Sequence, residues 1–267
     1  MAAGEEALAI QIRPLAADAE LTEAVRLQKS IWGFEDVDLL PRRLFVVAGK
    51  IGGQILGAFD GGRMVGFCLA IPGLKPGGSY YLHSHMLGVL PSHQNRGIGR
   101  ELKLAQRKEA LERGIRLIEW TFDPLEIKNA HFNIERLGAV VRRFVPNQYG
   151  VSSSPLHGGL PTDRCVAEWW IDSPRVRAIV EGRRALFTAE ARIEVPREID
   201  AWKRENPARA REVQSGIREQ FQMWLARGLA VLGYEIGPRA GAFLFGKWEG
   251  GEGPLNPEPG RVGPSRS

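Results

Sequence analysis

Apolar residues recur along this chain with two spacings, and the switches between them predict its elements. AIQIRPL (9–15) alternates as a strand, and DAELTEAVRLQKSIWG (18–33) places Leu21, Val25 and Ile31 on one side of a helix that Gly33 ends. QILGAFD (54–60) and MVGFCLAI (64–71) read as strands joined by a tight Gly-Gly turn, a hairpin signal. PGLKPGG is a loop, and YYLHSHMLGVLP (80–91) is a longer strand closed by Pro91. IGRELKLAQRKEALERG (98–114) is a helix ended by Gly114, IRLIEWTFDPL a strand stopped at Pro124, and KNAHFNIERLG a short helix stopped at Gly138. AVVRRFVPNQYG and RCVAEWWIDS add two strands. The order β-α-β-β-β-α-β-α-β-β predicts an α/β (α+β) fold with a mixed sheet and helices on its faces.

Near Ser173-Pro174 the pattern changes. A strand, ARIEVP, precedes a long helical stretch from Arg197 to Arg227 interrupted at Asn206-Pro207, with Phe221, Trp224, Leu225 and Leu229 at helix spacing on a buried face. LAVLGYEI and GAFLFGKWE are then paired strands around GPRA. The expected organisation is a first domain over 1–173, an α+β extension over 174–249, and a Gly/Pro/Ser-rich tail over 250–267 too poor in apolar residues to order itself.

Composition narrows the function classes. Hydrophobic residues make up 43% and charged residues 25% of 267, as in a globular protein. No apolar run reaches the about 18 residues of a membrane span, so no membrane role is expected. Two distant cysteines, Cys68 and Cys165, without CxxC or clustered histidines argue against a disulfide framework or structural zinc, and with an acidic, apolar-poor start they point to the cytoplasm. The net charge of +5 is spread over mixed helical surfaces, and the tryptophans fall at core spacing rather than along a basic stripe, so no nucleic-acid partner is expected. A ligand carrying several phosphates suits the mild positive bias.

The chemistry concentrates in HMLGVLPSHQNRGIGR (85–100), where a strand runs through a glycine turn into a helix. Successive amides at such a turn face one concavity, glycines allow close approach, and the helix presents its positive end; Arg96 and Arg100 add charge. This predicts a phosphate site at Gln94, Asn95, Arg96, Gly97, Ile98, Gly99 and Arg100. A Walker loop lacks its Gly-Lys-Ser/Thr here, and a dinucleotide fingerprint lacks its third glycine because position 102 is leucine.

Leu87-Gly88-Val89-x-Pro91 followed by Gln94-x-x-Gly97-x-Gly99 resembles the GNAT superfamily of acyl-CoA-dependent N-acyltransferases, over about residues 8–172. The resemblance implies a GNAT-like fold and acetyl-CoA or another short acyl-CoA as donor. It implies that amides of 94–99 hold the CoA pyrophosphate, and that the main chain around Leu87, Gly88 and Val89 pairs with the pantetheine arm. It also implies that an amide at or near Val89 polarises the acyl carbonyl. Family members often carry a tyrosine acid on the helix after the fifth strand; here Ile134 falls in that slot and Ile127 where an asparagine often sits. The substitutes considered are Tyr149 as acid, Glu119 and His85 as site residues, and Asn129 and Asn133 for the pantetheine amides. His83 and His85 share a strand face and suit a proton relay; with no third ligand, no metal is expected.

The expected activity is transfer of a short acyl group to a primary amine of a small molecule. Two alternatives stay open: a succinyl-CoA-type amino-acid acyltransferase with Arg142, Arg143 and Arg164 meeting the extra carboxylate, or a CoA-binding module without catalysis. The 174–249 extension is expected to wall the acceptor pocket or to form a homodimer contact.

Overall fold

The computed structural model describes residues 10–150 and 159–250; the tail assigned to 250–267 lies outside them except for Gly250. The first alternation folds as β1 (Gln11–Pro14) and the first amphipathic segment as α1 (Asp18–Trp32), which Gly33 ends with a left-handed φ of 66°. A helix that the periodicity did not announce, α2 (Arg42–Lys50), follows and buries only Phe45 and Ala48. β2 (Gln54–Asp60) and β3 (Arg63–Leu74) form the hairpin, with Gly61 and Gly62 both at positive φ, as a mirror-image turn requires.

β4 (Tyr80–Val89), α3 (Ile98–Glu112) and β5 (Leu117–Phe122) bracket the motif loop. α4 (Ile127–His131) continues into a π turn over Phe132–Arg136, and β6 (Val140–Val145) and β7 (Arg164–Trp170) complete the first unit. Beyond it come α5 (Pro174–Val180), capped by the Ser173 hydroxyl, β8 (Ala191–Pro196), α6 (Ile199–Glu205), α7 (Pro207–Ala226), β9 (Leu229–Ile236) and β10 (Ala240–Lys247). Pro207 opens α7 at the interruption read in the sequence, and the Asn206 side chain caps it.

All ten strands join one sheet in the order β1-β2-β3-β4-β5-β7-β6-β9-β10-β8. The extension therefore continues the first unit's sheet: β9 meets β6 at Val141–Val231. Its helix α7 also enters the same core, where Phe221 stacks on Phe144 of β6 at 4.9 Å and packs edge-on against Phe243 and Phe245 of β10.

Alternation sorts the two faces. On β3, Phe67 packs against Trp32 and Phe45 from the α1–α2 side, so its neighbour Cys68 turns to α3. On β5, Trp120 faces α3 and the π turn after α4, so Glu119 and Thr121 turn the other way. α3, α4, the π turn after it and α7 contribute Ala110, Ala130, Ile134, Ile217 and Phe221 to one continuous apolar cluster. The opposite face of β5, β7 and β6 carries charge instead.

Candidate active site

β4 and β5 form the one parallel pairing among the described residues, and it is brief: Leu82 with Ile118 and His83 with Glu119. Past that rung the strands part. On its other edge β4 stays paired to β3, with a slip that sets Leu69 opposite Met86 and Ala70 opposite Ser84 and leaves His85 as the extra residue of a bulge. The Leu90 amide donates to Val65 O of β3 at 2.8 Å. Ladder alternation then turns the amides of Leu87 and Val89 to the opposite edge, into the gap beside β5.

At the open end of this gap lies the glycine loop. A short 3₁₀ turn over Pro91–His93 brings the chain round, Asn95 and Gly97 adopt left-handed φ values of 62° and 84°, and Gly97 is the N-cap of α3. Among the described residues, the amides of Asn95, Arg96, Gly97, Ile98 and Gly99 have no hydrogen-bond partner in the protein. Consecutive donors left open at a helix N-terminus form an anion cradle. A Cβ at Gly97 would meet nothing within 4 Å, so the space above the loop is open, and one at Gly99 would only touch Leu87 and Phe132. The Gln94 side chain donates to Val89 O at 3.1 Å and fastens loop to strand. Arg100 donates to Val180 O at 3.0 Å and fastens α3 to α5, while the half-exposed Arg96 lies 3.6 Å from Asp60.

The helix-free face beside the gap holds a chain of buried charges. Glu119 accepts from Lys75 Nζ and from Arg143, both at 2.7 Å; Arg143 also meets Glu168, which receives Arg142 Nε at 2.8 Å. Glu119 and Glu168 are directly opposed across β5 and β7, and the register slip on β6 lets both arginines reach them. Arg142 and Arg143 are thus already engaged by protein carboxylates, and Arg164 lies 3.8 Å from Asp123. Asp123 also caps the amide of Leu125 at 2.8 Å, the turn role that its place before Pro124 implies.

The polar candidates fall around the same rung. His83 is pushed down to about 4, by desolvation first and then by His85, so its imidazole is neutral near pH 7. The more exposed His85 is also held below the ordinary histidine value by desolvation. The Tyr149 hydroxyl lies 3.0 Å from Thr121 Oγ1, two residues past Glu119 on the same face of β5, and Arg164 covers its ring at 5.5 Å. Asn133 is buried: its oxygen accepts from the Trp120 indole and its amide donates to Asn129, both at 3.2 Å. Ile134, in the slot where family members carry tyrosine, is fully buried in the core.

One residue escaped sequence reasoning. Lys103 of α3 is buried, donating to Ser84 Oγ at 2.7 Å and to Gln106 Oε1 at 3.2 Å and lying 3.8 Å over the Trp120 ring. No carboxylate pairs with it among the described residues, and burial pushes its ammonium down to about 7. A lysine within ELKLAQRKEA looks like helix surface; only its place at the i+5 position from Ile98, under the bulge, gives it away.

The parted strands, the open amide loop and the helices on both faces make up an α/β domain with a gap in its sheet. Residues 20–139 match the acetyltransferase (GNAT) family model. The ribosomal-protein-S18-alanine N-acetyltransferase of Escherichia coli is 16% identical, covering 62% of this chain and 96% of its own, with a TM-score of 0.50. NAA60 of Arabidopsis thaliana, solved with acetyl-CoA, is 15% identical over 61% of this chain and 99% of its own, also with a TM-score of 0.50. No curated protein matches the chain in sequence. Over residues 20–139 the chain is thus similar to the GNAT acetyltransferases. No group of three or more metal-ligating side chains occurs among the described residues, and no helix there is long and apolar enough to cross a membrane.

Proposed function

We propose that this chain transfers an acetyl or other short acyl group from acyl-CoA to a primary amine of a small molecule. The observation that carries this reading is the run of five unpartnered amides, Asn95 to Gly99, at the mouth of a gap between β4 and β5. Such a cradle suits a pyrophosphate, and the gap edge of β4 suits an arm that pairs as an added strand. Bound there, acyl-CoA supplies an activated thioester carbonyl; the protein's own groups do the rest.

The amides of Leu87 and Val89 are the donors along the gap edge suited to pair with the carbonyls of that arm. Glu119, at the last rung on the helix-free face, is the carboxylate beside the gap, and its two oxygens are held by Lys75 and Arg143. His85, neutral near pH 7, is suited to take up the proton an amine must lose before it attacks. Tyr149 stands in for the missing helix tyrosine as the acid for a departing thiolate, held by Thr121. The engagement of Arg142 and Arg143 by Glu119 and Glu168 weighs against a dicarboxylic acyl group, because no arginine of that pair is left without a carboxylate.

The test couples calorimetric titration of coenzyme A with thiol release across amino acids, polyamines, aminoglycosides and N-terminal peptides. CoA binding with release driven by small amines is the expected result. Release driven by peptides alone would move the acceptor to proteins, and tight binding with no release from any amine would make the domain a non-catalytic CoA module.

A further inference from the structure

The helix-free face contains a primary amine of the protein's own in the place where an acceptor's ammonium is expected. Lys75 sits in the β3–β4 hairpin, whose turn closes through Lys75 N to Ser79 O at 2.9 Å and Gly78 N to Lys75 O at 3.0 Å, with Gly77 and Gly78 at φ of 98° and 90°. From there its side chain runs back over the sheet until only 13% of it is exposed. Its Nζ lies 2.7 Å from Glu119 Oε2 and 4.4 Å from the centre of the Tyr81 ring. Tyr81 reaches that position because residue 73 is glycine: a Cβ there would stand 2.4 Å from the ring. A carboxylate and an aromatic face together make a seat for an ammonium ion.

The seat's location gives it meaning. Glu119 pairs with His83 in the last rung before β4 and β5 part. From Val89 back to Ser84 the strand runs about 17 Å at roughly 3.3 Å per residue, a span that an extended pantetheine arm covers. An arm laid along β4 from the amide loop therefore brings its acyl end to the closed end of the gap, beside this seat. Lys103, the other lysine near the gap, lies on the α3 side of the sheet and is separated from it by the strands.

We propose that Lys75 is itself an acyl acceptor, so that in the absence of a free amine the protein acylates its own β3–β4 hairpin. This rests on the acyl-CoA reading above. Glu119 takes one proton from the Lys75 ammonium; neutral Nζ then forms a C–N bond to the thioester carbon as the C–S bond breaks. The second N–H proton goes to the departing thiolate, through the Tyr149 hydroxyl or solvent. The products are an acyl-lysine amide and free CoA, with no oxidant or reductant consumed. Acylation removes the Lys75 charge and leaves Glu119 with Arg143 as its remaining partner, so the modified protein presents a carboxylate with one oxygen open to an external ammonium.

The experiment uses the full chain with acetyl-CoA and no added amine, read by calorimetry, thiol release and site-resolved mass spectrometry. The expected result is a burst of about one CoA per chain, with one acetyl group on Lys75. K75R should bind CoA unchanged and show neither burst nor label at residue 75, and E119Q should label Lys75 roughly a hundredfold more slowly, the loss of a general base. A chain that binds acetyl-CoA but leaves Lys75 unmodified overturns the proposal while sparing the function. So does a chain that labels Lys75 no faster than the exposed Lys50 and Lys108. Failure to bind acetyl-CoA at all overturns the function and this inference together.

Discussion

Burying an unpaired ammonium should leave a signature in the pH dependence of stability, and Lys103 offers the test. The unfolded chain holds the Lys103 proton up to about pH 10.5, whereas the folded protein gives it up at about 7 because burial disfavours the charge. Between those values unfolding takes up a proton, so raising the pH favours the folded state; below about pH 7 both states are protonated and this dependence vanishes. One pH unit inside the window is worth about 1.4 kcal/mol, so the native state gains about 4 kcal/mol from this residue between about pH 7 and about pH 10. K103M keeps most of the side-chain volume and removes the titration. It also strips Ser84 and Gln106 of a donor, at a cost of about 1–3 kcal/mol that does not change with pH.

Urea denaturation of wild type and K103M, extrapolated to water at intervals from about pH 6 to about pH 10, isolates the effect, since all other alkaline titrations are common to both chains. The stability difference should be flat at the acid end and then shift toward wild type by about 1.4 kcal/mol per unit. At the acid end K103M should be the more stable, because the charge that opposes folding is gone. Parallel curves over the whole range would refute the reasoning: Lys103 would then stay charged when folded, with water or an anion reaching it beneath the bulge.

Three further outcomes follow from the same geometry. G97E puts an L-residue at a φ of 84°, a strain of about 1–2 kcal/mol, with no steric clash, and aims a carboxylate across the open amides. Calorimetry should show CoA affinity reduced roughly a hundredfold, as for the loss of about two charge-assisted hydrogen bonds at about 1.5 kcal/mol each, and undiminished affinity would remove the loop from the site. Y149F should lower kcat about 100-fold while leaving CoA binding alone, and an unchanged kcat would take the hydroxyl out of the reaction. F221A opens a cavity where α7 meets β6 and β10 and should cost about 3–5 kcal/mol in a single unfolding transition; two separate transitions would mean that the extension folds by itself.

Much of the fold was legible because its strands and longer helices carry local signals. Glycines ended α1 and α3, a Gly-Gly turn joined β2 to β3, and Asn206-Pro207 marked the break before α7. α2 and α5 were missed for a physical reason: they bury two residues and one, too few to impose a period of 3.6. The continuity of the sheet was out of reach for a different reason. The junction between the first unit and the extension rests on one registered pair, Val141 with Val231, ninety residues apart in the chain, and on a ring cluster drawn from three elements. Hydrophobic patterning shows that Phe221 needs a core. It does not show whose core that is.

The site divides along the same line. Its main-chain half is written locally, since glycines at positive φ and a helix start oblige a run of amides to point one way, and Asn95 to Gly99 do so without partners. Its side-chain half is assembled across the sheet. Glu119 looked like an isolated acid in an apolar strand; Lys75 from a hairpin and Arg143 from β6 make it the centre of an ion-pair chain, and no spacing in sequence links residues 75, 119 and 143. Lys103 is the converse case, a surface-like residue that α3 turns inward because the gap between β4 and β5 leaves Ser84 and Trp120 beneath it. A fold that parts two strands exposes polar backbone on one side and thins the apolar layer on the other. Both unusual lysines, Lys75 and Lys103, lie on that seam from opposite faces, and the acceptor chemistry is accordingly to be sought with the one that faces the open side.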